Sequence, residues 1–361
     1  MADTARTRAG RIQGLDVLRG LAVALVLVQH AFREMSGNTG IVGVIIFFAL
    51  SGYLITGLLL NDLAGFGAVR YRRFYKHRAL RLLPALVLML AAYVAFQLLS
   101  PWGDEDRPLT AALIGITYTA DLPHLSSMTN SVANLWSLAV EEQFYLVWPA
   151  LLLVARRHWR IDRLIVVALV GTVLAACAGP ALGMGFYDVY PYPTSWAVAL
   201  VVGAAAKVHE ARIDAILHRT TAHLVATAAA GATLSAWCLP WAFESSLIYV
   251  IGTPLVAASA VVLIFWVKHW STIPTPALRP LLGLGVVSYA AYLWNLLISD
   301  VVKARDISDG AAAGLAVLLT VVAATASWFL VERPVREWRN RSEASRHDRT
   351  VRDESRSAQL A

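Results

Sequence analysis

Charge is scarce in this chain. Asp, Glu, Lys and Arg supply 15% of its 361 residues, against 58% hydrophobic, and a soluble domain of this length needs far more polar surface. Cysteine is scarce too: Cys177 and Cys238 both sit in apolar runs, with no spacing that suits a metal site or a disulfide framework. No GxGxxG, Walker loop or HExxH occurs, and no metal site is legible. There is no internal repeat with paired, interrupted apolar segments, the pattern that marks many secondary transporters. The first apolar run is long and is followed by no small-residue cleavage pattern, so it reads as a retained span.

What the chain does have is long apolar runs from end to end. They are continuous rather than alternating, which argues against a β-barrel and predicts an all-α, polytopic membrane protein. Ten transmembrane helices are expected, near 15–33, 41–60, 82–100, 134–154, 163–180, 193–207, 221–240, 246–267, 281–302 and 310–331. The sixth is short and opens after "YPYPTSW", which suits a tilted or re-entrant segment. The longest loop, 101–133, is expected to carry a short helix around Thr110–Thr119. Residues 1–338 read as one transmembrane domain, and 339–361 as a charged, disordered tail. With the N-terminus inside, 26 of the 31 Lys and Arg fall in inside segments and 4 in outside loops, with Arg19 inside the first span. That asymmetry predicts cytoplasmic termini and a multi-pass protein of the cell membrane. The net charge of +7 thus reports topology and lipid contact, not nucleic acid.

Three polar stretches stand out against this background. In "LDVLRGLAVALVLVQH", Arg19 and His30 are eleven residues apart. At about 100° per residue they share one helix face, separated by roughly 16 Å along the axis. Asp16 can pair with Arg19 one turn away. Snorkelling and an interfacial histidine are the plain alternative, but ionisable residues inside a span usually face a cavity. A neutral imidazole there suits the removal of a proton from a hydroxyl. The second stretch, "VRYRRFYKHRALRLLP", puts Arg78 and Arg81 at i,i+3, a fork-like pair suited to phosphate. Ordinary headgroup contact is the alternative. In the third, "NLWSLAVEEQFYLVWP", helical spacing places Asn134, Ser137, Glu141, Tyr145 and Trp148 on one stripe and Glu142 with Leu135, Leu138 and Leu146. Glu141 is thus the better candidate for a polar cavity, and Glu142 for an ion pair or a protonated carboxyl. "HWRID" and "HEARID" match short histidine–aspartate patterns of other acyltransferases, but lie in short basic loops where such patterns arise by chance.

In order along the chain, "GLDVLRGLAVALVLVQH", "FFALSGYLIT", "FYKHRALRLLPAL", "LWSLAVEEQFYLVWP", "SYAAYLWN" and "FLVERPV" resemble the acyltransferase-3 family of integral membrane O-acyltransferases. The resemblance implies transfer of an acyl group from cytoplasmic acyl-CoA to a hydroxyl of a sugar, glycan or macrolide-like natural product, without a metal. It implies that His30 is the base, that Arg78 and Arg81 meet the donor phosphates, and that Arg19 guides the thioester. Glu141 and Asn295 join the expected catalytic set. Trp136, Glu142, Tyr145, Ser51, Tyr53 and Tyr292 are expected around the substrates, with close helix packing as the alternative for the "SGY" residues. Tyr292, Asn295 or Arg19 would face the oxyanion. Many members show "YLWH" where this chain has "YLWN", so Asn295 can only hydrogen-bond where a histidine would titrate. The chain stops soon after "FLVERPV", which favours a stand-alone enzyme. Expected partners are acyl-CoA, a hydroxyl acceptor and membrane lipid. A homodimer is admitted, and a transporter or flippase is the rival class.

Overall fold

The computed structural model describes residues 12–32, 37–100, 107–122, 131–158, 160–217, 220–239, 246–305, 307–339 and 341. These residues form helices and turns, with no strand among them. In order the helices are α1 (Gln13–Ala31), α2 (Thr39–Phe66), α3 (Tyr71–Leu99), α4 (Pro108–Ile116), α5 (Leu135–His158), α6 (Ile161–Ala181), α7 (Phe186–Val189), α8 (Pro193–Val208), α9 (Glu210–Leu217), α10 (Thr220–Cys238), α11 (Thr253–Val267), α12 (Arg279–Val286), α13 (Ser288–Lys303) and α14 (Asp309–Ser327). Apolar runs become helices because only internal hydrogen bonds satisfy a backbone removed from water. The chain is a multi-pass helical membrane protein.

Seven helices among the described residues are long and apolar enough to cross a membrane, or eight if α12 and α13 count as one bent span. Ten were expected, and the differences have local causes. Helix α8 has only 16 residues. Helix α10 is long enough, but it carries four threonines, a serine and a histidine, and falls short in apolarity. The ninth expected span breaks at Val287, where its two halves meet at 73°. The tenth runs on through a π-helical turn, Trp328–Glu332, as a continuous helix Asp309–Arg339. The expected short helix in the long loop is α4. Of the expected tail, all but Arg339 and Arg341 lies outside the described residues.

Helix α2 is the axis of the bundle, and much of its length is buried. It meets α8 where Gly52 faces the Leu200 carbonyl and Gly203 faces the Ala49 carbonyl; a Cβ at either would sit 1.9 Å from that oxygen. Helix α1 meets α12 the same way, with Gly20 against Leu281 O and Gly285 against Asp16 O. Small residues let backbones approach this closely, and in lipid such contact replaces a hydrophobic drive between helices. The turn from α2 to α3 is pinned by Arg70, which donates to Asp62 at 2.7 Å (Nη2) and 3.1 Å (Nε). The α1 end is tied to the α2 start because Gln29 Oε1 accepts from the Gly40 and Ile41 N–H groups. These contacts hold one face of α1 toward α2, α13 and the bundle interior.

Candidate active site

Three adjoining cavities follow that face of α1. The first, about 310 Å³, is lined by Asp16, Arg19, Arg81, Ser288 and Tyr289, with Arg336 and Arg339 from the last helix. The second, about 120 Å³, shares Arg19, Arg81, Ser288 and Tyr289 with the first and adds Ser51, Arg78, Ser137, Glu141, Tyr145 and Tyr292. The third, about 530 Å³, shares Val44 and Tyr292 with the second and is lined by His30, Asn134, Trp136, Phe186, Tyr187 and Tyr190. The file therefore runs from Asp16 to His30, with its waist at Val44 and Tyr292. The break at Val287 turns Ser288, Tyr289 and Tyr292 onto its wall.

The waist is held by hydrogen bonds. Ser137 Oγ and Tyr292 Oη lie 2.6 Å apart, Tyr292 Oη donates to Asn134 O at 2.9 Å, and Asn134 Nδ2 donates to Tyr292 O at 2.7 Å. Below it, the two arginines of the RxxR pair differ. Arg78 is fixed: its Nε and Nη2 reach Glu142 at 2.7 and 2.6 Å, and its guanidinium lies 3.4 Å from the Tyr145 ring centroid. Glu141 is 3.9 Å from Arg78 and accepts from Ser51 Oγ at 2.7 Å. Arg81 makes no hydrogen bond or ion pair with a described residue, and it lines both the first and the second cavity. An exposed guanidinium without such bonds on a cavity wall is placed for an anion that enters from the first cavity. Arg19 is shared between the cavity wall and Asp16, at 3.1 Å.

At the far end the Asn295 amide is hydrogen-bonded to His30 Nδ1. The Asn295 side chain is buried, 1% exposed. Amide N and O are assigned by the network around them, as is the imidazole tautomer. If Asn295 presents Oδ1, then Nδ1 carries the proton and Nε2 keeps a lone pair that can accept one. If it presents Nδ2, then Nε2 is protonated and cannot act as a base. The first arrangement is the one general-base chemistry requires. Lys303 Nζ donates to the His30 carbonyl at 2.5 Å and closes this end of α1.

Most of the sequence-derived residues meet along this file: Arg19, Arg78, Arg81, Ser51, Glu141, Tyr145, Tyr292, Trp136 and His30 line it, and Asn295 holds His30. Two do not. Tyr53 lines none of the three cavities, because two residues beyond Ser51 turn a side chain about 200° round the helix. Its hydroxyl donates to Glu210 at 2.5 Å, where Lys207 and Lys268 also donate, at 2.5 and 2.8 Å. Burial alone would raise the Glu210 carboxyl; these donors instead hold it down at about 2. Glu142 also lines none of the three, since its carboxylate is taken up by Arg78. The stripe on α5 lies inward, with Asn134, Ser137, Tyr145 and Trp148 all buried, whereas Leu146 is exposed. The histidine–aspartate loop patterns meet each other instead of a cavity: His209 Nε2 is 3.9 Å from Asp162 Oδ1. Phe186, Tyr187 and Tyr190 were not anticipated as cavity residues. Their sequence signal is the aromatic run ending in "YPYPTSW", which also suits a tilted or re-entrant segment.

Fold and site together define an integral membrane protein whose adjoining interior cavities have a guanidinium cluster at one end and an imidazole at the other. The chain belongs to the acyltransferase-3 family: the family's model, described as an acyltransferase domain, matches residues 12–332. Among its relatives, YrhL of Bacillus subtilis, provisionally named a peptidoglycan O-acetyltransferase, is 30% identical over 90% of this chain and 55% of its own length. The peptidoglycan O-acetyltransferase OatA of Listeria monocytogenes is 29% identical over 93% of this chain and 58% of its own. A provisionally named O-acetyltransferase of Staphylococcus aureus is 33% identical over 42% of this chain and 27% of its own. This chain thus spans a little over half the length of the first two relatives. No solved structure matches it.

Proposed function

We propose that this protein is a cell-membrane O-acyltransferase that takes an acyl group from cytoplasmic acyl-CoA and gives it to a hydroxyl of a sugar or glycan. One observation carries the reading: Arg81, with no hydrogen bond or ion pair to a described residue, and His30, held by Asn295, face the same file of cavities along α1. The donor's phosphates rest against Arg81 and Arg19, and the pantetheine arm threads the second cavity. The roughly 16 Å between Arg19 and His30 suits an arm of that kind. The acceptor occupies the aromatic third cavity, where Trp136 and Tyr190 offer ring faces to a sugar. The relatives' names favour an acetyl group and a peptidoglycan hydroxyl.

His30 Nε2 takes the hydroxyl proton as the oxygen attacks the thioester carbonyl. The C–S bond then breaks, and the proton returns from His30 to the departing thiolate. Tyr292 lines both the second and third cavities, and its hydroxyl serves the oxyanion by giving up its bond to the Asn134 carbonyl. Asn295 is engaged with His30, and Arg19 belongs to the two cavities on the other side of the waist. Glu141 acts on the arrangement through Ser51 and Arg78.

The test is transfer of labelled acetyl from acetyl-CoA by the protein in lipid nanodiscs, with peptidoglycan fragments and a macrolide as alternative acceptors. Wild type is expected to release CoA and to label the glycan. His30→Ala is expected to lose about 10²–10⁴-fold in rate. Unchanged turnover in His30→Ala removes His30 from catalysis, and label on the macrolide alone overturns the acceptor assignment.

A further inference from the structure

The π-helical turn Trp328–Glu332 interrupts the last helix. Such a turn holds an extra residue and rotates the face beyond it by about 100°. Beyond it, Arg336 and Arg339 line the first cavity together with Arg19 and Arg81. Both lie outside the family match, which ends at residue 332. The cavity wall carries these four arginines against two carboxylates, Asp16 and Glu332. Asp16 is committed to Arg19. Arg339 has an interaction of its own, whereas Arg81 and Arg336 have no hydrogen bond or ion pair with a described residue. The wall therefore has more positive charge than its own carboxylates answer, over a volume of about 310 Å³. Arginine forks favour phosphate oxygens.

We infer that Arg336 and Arg339 form a second phosphate subsite that holds the 3′-phosphate of the donor's ribose, while Arg81 meets the diphosphate. This rests on acyl-CoA as the donor. The assignment follows the order of the cavities. Arg81 lines both the first and the second, so it sits where the diphosphate continues into the pantetheine arm. Arg336 and Arg339 line the first alone, one step further from the thioester, where the ribose and its phosphate lie. The same arginine chemistry would also hold a lipid headgroup phosphate, and the two sources are separable.

Binding of CoA and of 3′-dephospho-CoA is measured by calorimetry on the protein in zwitterionic nanodiscs. Wild type is expected to prefer CoA by about tenfold or more, the scale of one or two charge-assisted hydrogen bonds. The Arg336→Gln/Arg339→Gln double variant is expected to lose that preference and to bind dephospho-CoA as wild type does, which also shows that it is folded. Arg81→Gln is expected to weaken both ligands, and lysine at 336 and 339 to restore part of the preference. Equal wild-type affinity for the two ligands overturns the subsite, as does a double variant that keeps the preference. A preference seen in zwitterionic discs but abolished by phosphatidylglycerol assigns the arginines to lipid and overturns it as well. If wild type binds neither ligand, the donor reading falls and takes this inference with it. CoA binding without discrimination sinks the subsite alone.

Discussion

Replacing Asn295 by leucine removes the hydrogen bond to His30 while keeping a side chain of similar outline in a site that is 1% exposed. A neutral hydrogen bond of this kind contributes about 1 kcal/mol, or roughly fivefold in a rate that depends on it. The loss is larger if the bond also selects the tautomer with a free Nε2. The ceiling is the whole general-base contribution, about 10²–10⁴-fold. We therefore expect kcat for acetyl transfer to fall about 5- to 50-fold in Asn295→Leu. KM for acetyl-CoA should hold, because Arg19 and Arg81 stand at the other end of the file. Asn295→Asp keeps an acceptor for Nδ1–H and removes the donor, so it should retain or exceed wild-type kcat. Initial rates of CoA release with a saturating acceptor check both. An active Asn295→Leu beside an inactive Asn295→Asp would mean that the amide donates to Nδ1. Nε2 would then carry the proton, and the base assignment would fail.

The two arginines of the RxxR pair should separate. Arg78→Met leaves Glu142 and Glu141 without their guanidinium and should cost about 3–5 kcal/mol of stability, read as a lower melting temperature; Arg81→Met should leave melting unchanged and raise KM for acetyl-CoA. Glu210→Gln should destabilise by about 2–3 kcal/mol at pH 7, given a carboxyl held at about 2 by Lys207, Lys268 and Tyr53. Because that carboxyl is lowered in the fold, its contribution is full above the unfolded range near 4.5 and fades as pH falls toward 2, so the wild-type excess in a melting series from pH 7 to 3 should shrink. Asp121, buried in the segment after α4, accepts from Gln143 at 3.0 Å, and burial lifts its carboxyl to about 6. A raised carboxyl costs stability as pH climbs from about 4 to 6, so Asp121→Asn should melt higher than wild type at pH 7 and equally at pH 4. Gly203→Leu should abolish folded protein on size exclusion, since its Cβ would lie 1.9 Å from the Ala49 carbonyl.

Much of this arrangement is written in the residues. A polar residue inside an apolar run needs a cavity or a partner, and helical period alone puts Arg19 with His30 and sorts Glu141 from Glu142. Tyr53 shows where that reasoning stops. It neighbours Ser51 in the same motif, yet its hydroxyl goes to Glu210, far away in the chain. No local pattern reports such a partner. The span count meets the same limit: ten spans are expected, and seven, or eight with the bent pair, are long and apolar enough among the described residues. Hydropathy sees composition, not the bend at Val287 that lets one apolar stretch serve as two helices and frees Tyr292 to form the waist.

The amino-acid order by itself determined a helical membrane bundle and the faces on which its few ionisable groups stand, because the bilayer forbids an unsatisfied backbone and a helix has one period. The choice between neighbours was made only when the helices packed. Close contact at Gly20, Gly52, Gly203 and Gly285 brings elements distant in sequence to backbone distance. That packing commits Arg78 to Glu142, leaves Arg81 open to the cavities, and sets Asn295 against His30. Pairing between charges depends on ångström distances across the bundle, and those exist only in the folded chain.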